Sequence, residues 1–249
     1  MVTIPAMATL AQRWQARAVD AIKRRALRLL HVTAAGEALI LASYLWAEEA
    51  AELGPLNELT GLHPEPWLQA QLARHLGDEA RHASILRTRL RALGREPSGT
   101  PQVDVVSAHK LRSLKRLIES AAGHFAAKGL VPLFAVVESV EATTVRVFKR
   151  HLEVLARPDA PEGSAITRAI LIDLLADEQR HQQACAAALV RLVQPQEEPH
   201  LAALRARIDE IGRSFGVIGA AALWLAGAGF QLQARLSGRP NRKPGGAHA

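Results

Sequence analysis

The sequence predicts an all-α protein, a four-helix bundle with one long crossover and extra helices at each end. Three observations carry that expectation. First, 49% of the 249 residues are hydrophobic but only 4% are aromatic, with a strong Ala/Leu/Arg bias. Such a composition favours helix packing over a β-sandwich or barrel, which needs more β-branched and aromatic residues. Second, Gly and Pro fall between long runs of good helix formers rather than within them. Third, Asp-Glu-x-Arg-His occurs twice, as Asp78–His82 and Asp177–His181, each time inside such a run.

Taken in order, residues 6–26 form a basic helix with one acid, Asp20. The bundle core runs from about 27 to 193. Its first helix, about 27–53, stops at Gly54-Pro55, and its second, about 65–93, opens at Pro64 and Pro66 and ends at Gly94. Residues 94–107 read as loop, and 108–128 as a further helical segment. About 20 helical residues span roughly 30 Å, the length of a bundle, so this connection is a crossover rather than a tight turn. The third helix, about 131–156, and the fourth, about 164–193, are parted by Pro158 and Pro161. A last helix, about 200–236, carries no charge between Arg213 and Arg235. That uncharged stretch is long enough to lie in or cross a bilayer, while its four glycines also suit a core or subunit contact. The tail 237–249 reads as disordered, and the whole as one domain.

The chain is basic, with a net charge of +7, which fits Arg-rich solvated helix faces or an anionic partner. No nucleic acid is expected, because no basic-aromatic motif is present. A single cysteine, Cys185, excludes an internal disulfide framework and any Cys-based cluster, so a cytoplasmic, reducing location is expected.

Glu and His three apart share a helix face, so each motif copy directs a carboxylate and an imidazole at one spot. Two such helices, with one Glu from each of two others, make a di-metal site in a bundle core. Counting equal distances from the shared connections sets Glu37 level with Glu79, and Glu141 level with Glu178. Glu37 lies among apolar neighbours, whereas Glu48, Glu49 and Glu52 cluster near the helix end and read as solvated. Glu141 lies within an apolar stripe, with Glu138 on its flank as an alternate. Glu-x-x-His alone carries little information, since 17 Glu and 10 His yield about one such pair by chance. The Asp and Arg, repeated in both copies, carry the specificity. Tyr44 reads as a core tyrosine, and His31, His75, His124 and His151 as helix-surface residues.

The doubled pattern resembles the (Asp/Glu)-Glu-x-Arg-His motifs of di-iron carboxylate oxygenases and desaturases in the ferritin-like superfamily, such as acyl-carrier-protein desaturases. The resemblance covers about 30–193. It implies Glu37, Glu79, His82, Glu141, Glu178 and His181 as metal ligands and catalytic residues. It implies Asp78, Arg81, Asp177 and Arg180 around them, the Asp groups orienting the histidines. Two Fe ions are the implied cofactor, with Mn or mixed Mn/Fe also suiting the donor set. The implied activity is O2-dependent oxidation, hydroxylating or desaturating an organic substrate. The basic surface and apolar last helix suggest a lipid-like or carrier-bound one. An external electron donor, a homodimer and a membrane surface against the last helix are the expected partners. The competing readings are a ferroxidase or peroxide-reducing protein, and a non-catalytic metal-binding or membrane-associated bundle.

Overall fold

A computed structural model describes residues 9–53, 65–97, 105–158, 160 and 163–236. Among these there are seven α-helices, two short 3-10 turns and no strand. The helices are α1 (Leu10–Leu30), α2 (Ala34–Leu53), α3 (Pro66–Ala92), α4 (Val105–Ala121), α5 (Leu130–Leu155), α6 (Ser164–Leu192) and α7 (Glu198–Leu236). The expected tail 237–249 and the Gly54-Pro55 stop lie outside the described residues.

Local chemistry sets the boundaries. Thr9 caps α1, its hydroxyl accepting from Gln12 N while the Gln12 side chain accepts from Thr9 N. Pro66 opens α3, where a missing N–H costs no helical bond. Gly94 follows α3 at φ +77 and Gly163 precedes α6 at φ +86, both in the left-handed region.

The expected helix 27–53 is in fact divided. Residues 31–33 form a turn, so Leu27–Leu30 belong to α1 and α2 starts at Ala34. A Cβ at Gly36 would overlap the Leu30 carbonyl oxygen, so glycine is what permits this tight turn. Thr33 supports it by accepting from Gly36 N at 3.0 Å. The segment expected at 108–128 is α4 followed by a 3-10 turn at Ala122–His124.

Helix α2 packs on α3, α3 on α6 and α6 on α5, while α4 lies against α5 and α7, and α1 against α7. Helices α3 and α6 run antiparallel. The start of α3 (Leu68, Leu72) shares one apolar cluster with the end of α6 (Cys185, Ala188, Leu189) and the start of α5. The end of α3 (Ala83, Leu86, Leu90) shares another with α2, the start of α6 (Leu171, Leu174) and Phe148 of α5. The zone between the two clusters holds the doubled motif.

Candidate metal centre

Helix α3 presents His75, Glu79 and His82 at i, i+4 and i+7, and α6 presents Glu178 and His181 at i and i+3. These spacings place each set on one face. Helix α2 adds Glu48 and α5 adds Glu141. All seven residues are at most 5% exposed. Their donor atoms fall into two groups, His75, Glu79, Glu141 and His181, and Glu48, Glu79, His82 and Glu178. Within each group the atoms lie within 4.8 Å of one another, and Glu79 belongs to both.

The histidines aim one nitrogen inward and hold the other outward. His82 Nδ1 lies 3.3 Å from both Glu48 Oε2 and Glu178 Oε1, and His181 Nδ1 lies 3.3 Å from Glu79 Oε1. Outward, His82 Nε2 meets Asp177 at 3.1 Å and His181 Nε2 meets Asp78 at 3.0 Å. Each aspartate therefore serves the histidine of the other motif copy. An Asp acceptor holds a proton on Nε2, so Nδ1 is the position a metal would take, displacing any proton there. Arg81 binds Asp177 and, at 2.6 Å, Asp173, while Arg180 binds Asp177 and, at 3.2 Å, Asp78. His75 stacks on His181 with ring centroids 3.7 Å apart, its Nε2 lying 3.0 Å from Glu79 and 3.3 Å from Glu141.

The electrostatics are those of a cation site. Burial, then the neighbouring Glu79, pushes the Glu48 carboxyl well up, and burial, then Glu178, does the same to Glu141. Burial also works against the charge on Glu79, but bonds to Glu48, His181 and His75 outweigh it and hold that carboxyl low. At His82, burial opposes the cation, yet Glu178, Glu48 and Asp177 raise the imidazole to about 11. Packed carboxylates thus collect protons to relieve their repulsion. Three of these ligand atoms, His75 Nε2, His181 Nδ1 and Glu178 Oε1, are buried and touch other residues of the cluster, at 3.0–3.3 Å, without a well-aligned hydrogen bond. Buried ligand atoms crowded together with poor hydrogen-bond geometry fit a metal better than a purely structural network. Three imidazoles and four carboxylates are a donor set for Fe or Mn, and four carboxylate charges balance two divalent ions.

Of the residues expected from sequence, Glu79, His82, Glu141, Glu178 and His181 come together, ringed by Asp78, Arg81, Asp177 and Arg180. Glu37 does not join them. Its carboxylate takes Arg89 at 2.8 Å and the Thr167 hydroxyl, nearer the start of α2, and the α2 carboxylate at the cluster is Glu48. Glu48 is 4% exposed rather than solvated. Glu138 points outward to Arg205 at 2.8 Å. His31, His75 and His151 are buried, not on the surface. The missed His75 had a signal: it stands four residues before Glu79, on the face that the motif defines.

No protein-family model, curated protein or solved structure matches this chain.

Proposed function

We propose that the chain is an O2-dependent, non-haem di-iron oxidoreductase with a ferritin-like bundle. The observation that carries this reading is the pair of four-donor groups sharing Glu79, with each motif histidine backed by an aspartate of the other motif. Two iron ions held there would supply the binding and reductive activation of O2, and Mn could take the same donors. His75, His181 and Glu141 would hold one ion and His82, Glu48 and Glu178 the other, with Glu79 available to both.

The protein's own contribution is positioning, charge and dryness. Asp78 and Asp177 orient two imidazoles, and Arg180, bonded to both aspartates, holds them in place at the edge of the site. Apolar side chains stand on both sides along the bundle axis: Leu72, Val137 and Cys185 on one, Leu86, Phe148 and Leu174 on the other. Water exclusion strengthens every charge interaction inside. A cavity of about 520 Å³ borders Glu48, which favours oxidation of an organic substrate over simple iron handling. Cys185 is the chain's single cysteine and is buried, so electrons are taken from an external donor.

Anaerobic Fe(II) titration followed by exposure to O2 tests the reading. Uptake of about two Fe per chain, lost in Glu79→Ala, together with rapid O2 consumption, is expected. Less than one metal per chain, unchanged by Glu79→Ala and His181→Ala, would sink it.

A further inference from the structure

The cavity beside Glu48 opens where α2 and α5 stand apart. Helix α2 lines it over three turns, including Tyr44, Leu45 and Glu48, and α5 lines it with Thr143, Val147 and Phe148. Its volume, about 520 Å³, is in the range of pockets that enclose a small organic ligand. Its walls are mainly apolar. Tyr44 presents an engaged hydroxyl, 3.0 Å from His151 Nδ1. The crossover helix α4 adds Lys110 to the lining, and Arg95, exposed just past α3, is a second and solvated cation there.

Lys110 is partly buried, and among the described residues no carboxylate lies within 4 Å of its ammonium group. Its charged neighbours are cations. Burial first, then Arg146, holds its ammonium below the usual lysine range, and Lys110 and Arg150 act in the same direction on Lys23. Asp20, the acid beside Lys23, is already shared between Arg24 and Arg150 at 2.6 Å each. Glu49, also on the cavity wall, is bound by Arg87 at 2.6 Å. A desolvated cation with cationic neighbours, set in an apolar pocket, is relieved by an incoming anion.

We propose that this cavity binds an amphiphilic monocarboxylate, its apolar chain or ring lying against Val147 and Phe148 beside Glu48 and its carboxylate held by Lys110. As the identity of the substrate class, this rests on the metal-centre reading above. As a binding site, it stands on the cavity and Lys110 alone. A body on the order of ten carbons suits a pocket of this size.

Calorimetric titration of decanoate and of decanol into the full-length protein tests it, with metal content measured on each preparation. Saturable decanoate binding at least about tenfold tighter than decanol is expected, the margin of one charge-assisted contact. Lys110→Met should erase that preference with metal content unchanged, and Val147→Trp should abolish binding of both by filling the pocket. No saturable decanoate binding, or a preference that survives in Lys110→Met, overturns the proposal. Lys110-dependent binding by protein that takes up no metal would uphold the site while refuting the metal centre. Full metal uptake without decanoate binding would do the reverse.

Discussion

Asp177 of the second motif holds His82 of the first, Oδ2 to Nε2 at 3.1 Å, and Asp78 returns the exchange on His181 at 3.0 Å. The two copies are thus one unit closed across α3 and α6. Asp177→Asn keeps the shape but can present an amide N–H to Nε2, which favours the tautomer with its proton on the ligating Nδ1. Loss of the carboxylate should cost about 10–100-fold in metal affinity. Competition against a chelator would measure it. An Asp177→Asn protein with wild-type affinity would show that the exchange is structural only.

Glu48 and Glu37 lie on the same helix but should fail differently. Glu48→Ala removes a donor of the group formed with Glu79, His82 and Glu178, so uptake should fall from about two metals per chain towards one. Glu37→Ala leaves that group intact but strips a carboxylate from Arg89, which is 9% exposed. An uncompensated buried charge costs about 3–5 kcal/mol. Metal analysis and urea unfolding on both variants separate the roles. A Glu37→Ala protein that loses metal at unchanged stability would reverse the assignment.

The difference between these glutamates shows what was legible in the sequence. Glu141 lies 14 residues before the end of α5 and Glu178 lies 14 after the start of α6, so counting from the connection found the pair. Glu79 lies 13 residues into α3, but its partner Glu48 lies only five before the end of α2. The helix ends are offset by about eight residues, roughly 12 Å, and residue counts cannot reveal such an offset. Helix number, order and most boundaries followed from Gly and Pro, because those residues act locally. Burial of His31 and His151 depended on contacts between α1 and α5, 120 residues apart, which no local pattern announces.

Those two histidines contribute acid sensitivity to the fold, while the raised Glu48, Glu141 and His82 act in the opposite direction in metal-free protein. His31 is 4% and His151 0% exposed, and their Nε2 atoms face each other, so one neutral ring donates to the other. Burial, opposed at His31 by Glu37, holds both below the usual 6.5, and at His151 the second ring adds to the effect. With folded values depressed, the unfolded chain binds more protons once the pH drops below about 6.5. Their share of the stability is therefore fully present above that pH and is lost as the pH falls, by up to about 1.4 kcal/mol per pH unit for each histidine. Urea unfolding of metal-free protein between pH 7.5 and 5.5 reads the slope. His31→Leu should change it towards less acid sensitivity, by up to about one proton. An unchanged slope would mean that His31 is not the group responsible.

The last helix is where the alternatives of core, subunit contact and membrane separate. Pro195–Leu236 is long and apolar enough to cross a membrane, and only 11% of its most apolar window is buried. The core role is therefore limited. Leu201, Leu204 and Ile208 pack inward, and Gly227 lets α7 approach α1, where a Cβ would come within 2.9 Å of Leu29 Cβ. Leu225, Leu232 and Leu236 are 59–79% exposed, and α1 adds exposed Trp14 beside Arg17. An apolar face flanked by cations suits an anionic bilayer surface. The protein should float with vesicles rich in anionic lipid, less with zwitterionic ones, and less again at high salt. Leu225→Glu with Leu232→Glu should leave it in the soluble fraction with its metal content intact. If the wild type instead stays soluble as a cross-linkable dimer that the same two substitutions dissociate, the face is a subunit interface and the membrane assignment fails.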